Sequence, residues 1–479
     1  MLMAFASYRR DPSGRAEVSS RGRWGGRASC STLAAMPAED GRVWRVARAI
    51  APVRREELAP ALWSAGLFFC ALGSFYVLRP VREEMGVAGG VDQLPWLFTA
   101  TFLVMLAAVP LYSWLVARLR RQVFFPLVYR FCAAVLLGFF AALSLAEGDW
   151  LVLAARGLFV WITVFNLLIV SVFWEVMADL WAKEQGERLF GLVAAGGSAG
   201  ALVGPLVTAL LVPRIGVAGL LLVSVMYLEG ALLCARRLDR AFGSGAKGHD
   251  TKAMSGERVG GGALAAFAQI ARSRRLAGLA LFVALMALSG TFAYLEQAKI
   301  VKAALPDPAE RTQLFATVDF VVSAISVAMQ GLAVGRLIPA VGVAWVLAAL
   351  PIVSLVGFAA LAAAPVLATM VAVQIVRRAA EFSLAKPARE VLFTLEGREA
   401  KYKAKHLIDT AVYRGGDLVG AWSFHGLAAL GLGTVGLAGV GALVGAPWVA
   451  LALLLGRTGA KGQVQEDRAE GAGQSPANT

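Results

Sequence analysis

The chain has 479 residues, of which 58% are hydrophobic and only 16% are charged, and its mean hydropathy is +0.66. Soluble globular domains carry about 25% charged residues, so this composition excludes an ordinary soluble protein. The formal net charge of +14 comes largely from Lys and Arg in the polar connections between apolar runs. We therefore expect a membrane protein embedded in the lipid bilayer, and the charge gives no reason to expect a nucleic-acid partner.

A helix needs about 20 apolar residues to cross the roughly 30 Å hydrocarbon core of a bilayer. Twelve such runs follow one another along the chain, and we number them spans 1 to 12. Lys and Arg collect in the connections on the side that holds both chain ends, which predicts that the N and C termini are cytoplasmic. The expected location is the bacterial inner membrane, as a multi-pass protein. The spans cover approximately residues 60–79, 94–117, 123–145, 151–177, 189–211, 216–235, 276–297, 314–338, 341–363, 366–385, 407–430 and 434–455.

The polar segments divide the chain into two similar halves. Residues 1–57 are rich in Arg, Ser and Gly, which is typical of an organellar transit peptide or of a disordered basic extension, and we favour the extension. A long polar stretch at 239–275 predicts a cytoplasmic linker, and 458–479 predicts a disordered tail. The halves are then 58–238 and 276–457, each with six spans. An all-α fold of two six-helix halves is the major facilitator layout.

One charged pattern occurs twice within the apolar body. Arg79-Pro80-Val81-Arg82-Glu83 closes span 1, and Lys386-Pro387-Ala388-Arg389-Glu390 closes span 10. Because spans 1 and 10 run in opposite directions, the two copies should lie towards opposite sides of the membrane, as an inverted repeat requires. Two readings are open for the first copy: an anion-binding or gating cluster, which we favour, and an interfacial anchor whose side chains reach the membrane surface.

Spans 4, 7 and 11 also carry charge within or beside their apolar runs. Span 4 ends with Glu175 and Asp179, which share one helical face, and span 7 ends with Glu296 and Lys299. Span 11 contains Asp409 and, several residues further on, Arg414 and Asp417. Ionisable groups inside a membrane are costly and usually line a substrate or ion pathway. We expect these residues to line one.

Other motifs limit the chemistry. The glycines at 196, 200 and 204 in span 5 form a smooth stripe that predicts close helix packing. The sequence contains no GxxxxGK[ST] phosphate loop, so nucleotide hydrolysis by this chain is not expected, and transport would use a gradient or an exchange. The four cysteines and three histidines lack metal-ligand spacing, so we expect neither a metal nor another cofactor, and no enzymatic activity.

Four charged stretches resemble the ATP/ADP translocase family, the nucleotide exchangers of intracellular bacteria and plastids, and especially its divergent bacterial members. The resemblance covers roughly residues 58–455 and implies a facilitator-type fold that exchanges nucleotides by alternating access. One position departs from the family pattern, because the acidic residue expected early in span 4 has no equivalent at 161–166. The stretches are "YVLRPVREEMG", "FWEVMADLWAKEQGERLFG", "EQAKIVKAALPDP" and "KPAREVLFTLEGREAKYKAKHLIDTAVYRGGD".

The resemblance also implies site residues. Arg82 lies where the family has a basic residue before an acid, Glu296 lies at its span 7 glutamate, and Arg414 lies near its lysine before paired glycines. Arginine in place of lysine exchanges a point charge for a two-pronged donor. With Arg79 and Lys299, these residues form the predicted substrate-binding set.

The remaining charged residues predict two gates. The outer gate would join Arg79, Arg82 and Glu83 to Glu296 and Lys299. The inner gate would join the carboxylates of span 4 to span 10, with Asp409 nearby. The predicted gating residues are Glu83, Glu175, Asp179, Lys386, Arg389, Glu390 and Asp409.

The predicted function is therefore a secondary transporter that exchanges nucleotides of the ATP/ADP type, or related phosphorylated anions, as a monomer. The first alternative keeps the fold but makes the protein a proton-coupled carrier of another organic anion, because the span 4 acid is missing. The second alternative is a membrane nucleotide sensor or scaffold that does not transport.

Overall fold

The computed structural model describes most of the chain, and all of its regular elements are helical. The predicted N-terminal extension up to residue 52 and the linker from 243 to 269 lie outside the described residues. The described ranges are 53–118, 121–242, 270–332, 334–394, 404–405 and 407–473.

Thirteen α-helices are described, numbered in chain order. A short 3₁₀ turn, Val91–Gln93, precedes α2, and two π-helical segments, Glu381–Ala385 and Ile408–Val412, precede α11 and α12. The helices are α1 Arg55–Ala88, α2 Leu94–Arg118, α3 Arg121–Leu145, α4 Gly148–Leu180, α5 Lys183–Phe242, α6 Arg274–Ala304, α7 Pro308–Leu332, α8 Val334–Val341, α9 Val343–Ala363, α10 Leu367–Ala380, α11 Lys386–Thr394, α12 Tyr413–Ala429 and α13 Thr434–Gly473.

The twelve predicted spans are all helical. Within the described residues, nine helices are long and apolar enough to cross a membrane, and one of them, Arg188–Ala241, has 54 residues. That helix contains spans 5 and 6, which meet at Gly216, where φ is 68° and ψ is 177°. Only glycine adopts this conformation readily, so a single residue makes the turn. The fold is the predicted all-α membrane bundle of two six-helix halves.

Spans 10 and 11 are interrupted where the sequence places proline and charge. Span 10 consists of α10, the π segment Glu381–Ala385 and α11, which begins with Lys386 and Pro387. Proline has no amide hydrogen and its ring crowds the carbonyl four residues earlier, so the regular hydrogen-bond ladder cannot continue through it. A π-helical turn accommodates the break and is frequent at functional sites. Span 10 therefore reaches Thr394, beyond the predicted end at 385.

We name the two sides of the bundle after the chain ends. The terminal side carries the start of α1, the end of α5, the start of α6 and the end of span 12, and corresponds to the predicted cytoplasmic side. The opposite side carries the turn at Gly216 and the connection between α6 and α7. Helix α13 continues to Gly473, although a tail was predicted from 458, because a helix propagates readily once nucleated and this segment contains helix-favouring Ala, Gln, Glu and Arg.

The predicted glycine stripe of span 5 is a packing surface. A Cβ atom on Gly196, Gly200 or Gly204 would overlap backbone atoms of span 1. Spans 7 and 11 pack in the same manner, because a Cβ on Gly416 or Gly420 would press against the backbone of α6. Small residues at these contacts let helices approach closely without a side chain between them. Each half therefore contains at least one tightly packed helix pair of this kind.

Candidate substrate site and gates

A group of ten charged side chains, the central charge cluster, lies in the middle of the bundle. Spans 1, 8, 10 and 11 contribute to it. Asp319 and Arg378 each lie eleven residues from the opposite-side start of their helices, or about 16 Å along the axis, which is close to the bilayer midplane. The cluster consists of Arg79, Arg82, Glu83, Asp319, Arg377, Arg378, Glu381, Lys386, Arg414 and Asp417.

Asp319 joins the two halves at the centre of this cluster. Its side chain is only 2% exposed. The Arg79 Nε of span 1 lies 3.7 Å from its Oδ2, and the Arg378 guanidinium of span 10 donates a hydrogen bond to its Oδ1. One carboxylate of the C-terminal half therefore holds an arginine from each half. A buried charge is tolerated only with such partners.

The π segment of span 10 brings both copies of the repeated pattern to one aromatic ring. The Arg79 guanidinium carbon lies 5.9 Å from the centre of the Phe382 ring, and the Lys386 Nζ lies 4.1 Å from it. Glu381, beside Phe382, lies 3.6 Å from Arg377 and 3.7 Å from Lys386. Arg79 and Lys386, the first cations of the two copies, thus lie against the same Phe382 ring.

Arg82 is held by span 4 and by its own neighbour. Its Nε donates to Thr163 Oγ1 at 3.2 Å, its guanidinium lies 4.1 Å above the Phe159 ring, and Nη1 lies 3.6 Å from Glu83. Thr163 lies within the stretch 161–166, where the resemblance led us to expect an acid. A hydroxyl, a ring face and the neighbouring Glu83 are the described partners of this cation.

Spans 7 and 11 meet at Asp417. Its Oδ1 accepts a hydrogen bond from Thr291 at 3.1 Å, and its Oδ2 lies 3.5 Å from Arg414 Nη1. The Arg414 side chain remains 32% exposed, whereas that of Asp417 is 12% exposed. The cation is thus anchored by a carboxylate and still partly accessible.

The central charge cluster is net positive. Six of its members are Arg or Lys and four are carboxylates, which leaves an excess of two positive charges. The two cations at Phe382 also keep exposed fractions of 22% for Arg79 and 37% for Lys386. Such a site is suited to an anion, because guanidinium and ammonium groups form charge-assisted hydrogen bonds to carboxylate and phosphate oxygens.

Glu296 and Lys299 lie apart from these ion pairs. Glu296 is 1% exposed, and neither of its carboxylate oxygens has a hydrogen-bond partner among the described residues. Lys299 Nζ lies 4.5 Å above the Phe424 ring. The predicted outer gate between Arg82 and Glu296 is not formed in this state, because Glu83 and Thr163 are nearer to Arg82.

A different pair closes the opposite side. Arg311, at the start of α7, donates from Nη2 to Glu84 Oε1 at 2.6 Å and from Nε to Oε2 at 2.7 Å. Its Nη1 donates to the carbonyls of Leu305 and Pro306. The exposed fractions are 9% for Arg311 and 0% for Glu84. This bidentate salt bridge joins span 1 of one half to span 8 of the other.

Further contacts between the halves lie on the same side. Trp96 of span 2 packs edge-on against Trp422 of span 11 at 4.9 Å, and the Trp422 indole N–H donates to Thr99 Oγ1 at 3.1 Å. The amide of Gln313 in span 8 donates to the carbonyl of Ala209 in span 5. The opposite side is therefore closed by contacts at three places.

The terminal side shows no such fastening among the described ion pairs, each of which stays within one half. Arg389 lies 2.9 Å from Asp409, and Lys405 pairs with Glu390. The predicted inner gate between span 4 and span 10 is thus not formed here. The span 10 charges find partners on the adjacent span 11 instead. Glu175 faces the Tyr112 hydroxyl of span 2, and Asp179 is exposed.

Several residues of the site escaped the sequence analysis. Asp319 is the only acidic residue in the apolar run of span 8, and the Arg-Arg pair at 377–378 interrupts span 10. The rule that intramembrane charges mark a pathway would have found them. Glu84 and Arg311 are harder to recognise, because both lie near helix ends, where charge is common. The missed residues are Glu84, Arg311, Asp319, Arg377, Arg378 and Glu381.

Two helical halves, joined at a central charge cluster and by a buried ion pair on the opposite side, define a membrane carrier of the alternating type. A sequence profile described as the Major Facilitator Superfamily matches residues 65–383. Because the match covers more than half of the chain, the protein belongs to the Major Facilitator Superfamily. No curated protein matches the chain by sequence.

Solved structures show the same fold at low sequence identity. A bacterial homologue of the human lysosomal transporter Spinster, inward-facing and unoccupied, is 14% identical over 86% of this chain and 99% of its own, with a TM-score of 0.53. A bacterial homologue of the iron transporter ferroportin, inward-facing, is 14% identical over 82% and 98%, with a TM-score of 0.56. A POT family transporter in complex with a peptide is 10% identical over 82% and 95%, with a TM-score of 0.56.

Proposed function

We propose that this protein exchanges small phosphorylated anions, with nucleotides of the ATP/ADP type as leading candidates, across a bacterial plasma membrane. The observation that carries the proposal is the central charge cluster, which lies at midplane depth, joins both halves and holds an excess of two positive charges. Facilitator-type carriers bind their substrates near the midplane between the two halves. An anion placed there would meet side chains from spans 1, 10 and 11.

The side chains of the cluster differ in solvent exposure, and this difference distinguishes proposed substrate ligands from residues that only contact other side chains. Arg79, Lys386 and Arg414 are partly accessible, while Asp319 and Arg377 are buried. The accessible cations are therefore the proposed ligands of the anion. The buried groups position them, because each accessible cation already has a carboxylate within 4 Å.

The site suggests how binding and movement are coupled. In the described state, Asp319 supplies a negative charge to Arg79 of the other half. A substrate anion would replace Asp319 as the partner of Arg79 and would draw the halves together around itself. Binding energy spent on this rearrangement favours the state closed around the substrate. The pathway is formed by the two halves of one chain, so a monomer is the proposed transport unit.

The nucleotide assignment rests on sequence as well as charge. The four stretches that resemble the ATP/ADP translocases contribute Arg79, Arg82, Glu296, Lys386 and Arg414. Three of them, Arg79, Lys386 and Arg414, are the partly exposed cations of the cluster, which supports the proposal. Exchange also fits the absence of a phosphate loop from the sequence, because an exchanger needs no hydrolysis.

A second candidate, a proton-coupled carrier of another organic anion, is favoured by one observation. Glu296 is buried and lacks a hydrogen-bond partner among the described residues. An unpaired carboxylate in this setting favours the neutral, protonated form, and such groups form proton relays in pumps and transporters. The experiment must therefore vary both the internal nucleotide and the proton gradient.

The test is counterflow in proteoliposomes that contain the purified full chain. Vesicles loaded with unlabelled ATP or ADP should accumulate labelled nucleotide, whereas empty vesicles should not. Arg79→Ala should abolish the counterflow, and Leu443→Ala, a lipid-exposed residue of span 12, serves as the matched control. Uptake of another anion driven only by a proton gradient would support the second candidate. Nucleotide binding without flux would support a sensor and overturn both.

A further inference from the structure

Two charged side chains lie on the lipid-facing surface of the N-terminal half. Arg130 of span 3 and Glu229 of span 6 are both exposed, although each lies inside an apolar span. Neither makes an ion pair or a hydrogen bond with the other described residues. The hydrocarbon core of a membrane cannot solvate a charge, so charged residues within a span normally face the bundle interior or a partner.

Both charges lie at the same depth. Spans 3 and 6 run in opposite directions, and Pro126 of span 3 lines the same small cleft as Leu232 of span 6. Arg130 lies four residues after Pro126, and Glu229 lies three residues before Leu232. The two charges are therefore level with each other.

Spans 3 and 6 are also neighbours in the bundle. Phe125 and Pro126 of span 3 line one small cleft together with Leu232 and Ala235 of span 6. The two charges thus belong to one continuous surface. Around them the exposed side chains are large and apolar, and they follow helical spacing on each span: Leu127, Phe131 and Leu137 on span 3, and Leu222, Met226 and Leu233 on span 6.

The C-terminal half provides an internal comparison. Spans 9 and 12 take the places that spans 3 and 6 take in the first half. Their sequences, 343–363 and 434–455, contain no charged residue at all. Exposed positions there, such as Val356 and Leu443, are apolar. Within the described residues, spans 9 and 12 therefore carry no counterpart of the two lipid-facing charges of spans 3 and 6.

We propose that the surface formed by spans 3 and 6 binds a second copy of this chain. A twofold axis along the membrane normal keeps both copies in the same orientation and at the same depth. Span 3 of each copy then faces span 6 of the other, and such an interface is self-complementary. Arg130 of each copy meets Glu229 of the other, so one contact is made twice and all four charges are paired.

The arrangement leaves transport within each copy. The interface involves the outer surface of one half only, and the central charge cluster lies between the halves. The two copies can therefore work independently. This proposal does not depend on the identity of the substrate.

Charge reversal tests the pairing between copies. The full chain is produced with two different affinity tags in one cell, and sequential purification on both tags measures association. The wild-type chains should be recovered together. Recovery should be lost when both chains carry Arg130→Glu, and again when both carry Glu229→Arg, because like charges then face one another. It should return when one chain carries Arg130→Glu and the other carries Glu229→Arg, since both contacts are again complementary.

The mixed combination separates contacts between copies from those within one chain. A pair within one chain would not be restored by mixing, because each chain would carry two like charges. Failure of the mixed combination to associate would overturn the proposal. So would a single copy of the wild-type chain in liposomes, counted by photobleaching of one label per chain, or association that depends only on added anionic lipid.

Controls distinguish loss of association from loss of folding. Leu443→Ala in span 12 of the C-terminal half should leave the joint recovery of the two tagged chains unchanged. Each single variant should retain the thermal transition of the wild-type chain in detergent to within a few degrees, because the substituted side chains are exposed. Counterflow by the variants reports on the proposed function separately.

Discussion

The two sides of the bundle are fastened in different ways. On the opposite side, Glu84 and Arg311 join one half to the other through a buried, two-pronged pair. On the terminal side, the described pairs join neighbouring spans of the same half, as Arg389 and Asp409 do. The printed ion pairs that join the two halves, among the residues that the structure describes, therefore lie at the centre of the bundle and on the opposite side. With the predicted orientation, the described state is closed towards the outside of the cell.

The largest effect is expected at the opposite-side pair. Glu84→Ala leaves Arg311 buried without its carboxylate, and removing one partner of a buried ion pair costs about 3–5 kcal/mol. Only the closed state contains the pair, so only that state should lose stability, and the population should shift towards states that are open on the opposite side. Pulsed electron paramagnetic resonance should then show a longer distance between spin labels at positions 92 and 307, in a chain without native cysteines.

A double variant distinguishes the effect of a buried unpaired charge from the effect of losing the ion pair. Replacing both Glu84 and Arg311 with Leu removes the stranded charge, so the loss should be much smaller than for Glu84→Ala. Equal losses in the single and double variants would show that the closure depends on the ion pair itself and not on avoiding a stranded charge.

A smaller effect is expected within one half. The comparison of the two sides assumes that each half moves as a unit, and the glycine contact between spans 1 and 5 supports this. Gly200→Leu would force apart helices whose backbones touch, and overpacking typically costs about 1–3 kcal/mol. Gly191→Leu in the same helix is the matched control, because a Cβ there meets nothing within 4 Å.

Thermal unfolding in detergent measures both glycine variants. The transition of Gly200→Leu should fall clearly below that of Gly191→Leu, and the proportion of open and closed states should change less than it does in Glu84→Ala. If Gly200→Leu were as stable as its control, the contact between spans 1 and 5 would not be what makes the half rigid.

The smallest effect is expected on the terminal side. Glu390 and Lys405 are 25% and 20% exposed, and ion pairs with access to solvent contribute about 0–1 kcal/mol. Glu390→Gln should therefore change stability little and should leave the distance across the opposite side unchanged. A large shift in that distance would mean that this pair couples to the opposite-side closure.

Much of the fold follows from the sequence. All twelve spans were predicted from hydropathy, because a membrane helix needs a long apolar run and no other residue pattern supplies one. Internal breaks were harder to predict. The π segment before Pro387 depends on how span 10 packs against spans 8 and 9. The single-residue turn at Gly216 is hidden between two apolar runs.

The site follows from the sequence only in part. Spans 1 and 10 were predicted to carry charges of the site, and both contribute to the central charge cluster, but the partners of those charges were not predicted. Arg82 was expected to pair with Glu296, and it contacts Thr163 and Glu83 instead. Linear spacing shows which residues share a helical face, whereas a partner on another helix depends on how each helix is rotated in the bundle.

Asp319 gives the empty carrier an anion of its own. Because this carboxylate already pairs with Arg79 and Arg378, an anion of the proposed kind would compete with it, and part of the binding energy would be spent on displacing it. Such a site would bind the proposed substrate less tightly than six free cations. It would also release that substrate more readily, since the carboxylate returns as the substrate leaves. Under the proposed function, Asp319 would therefore favour rapid turnover over strong retention.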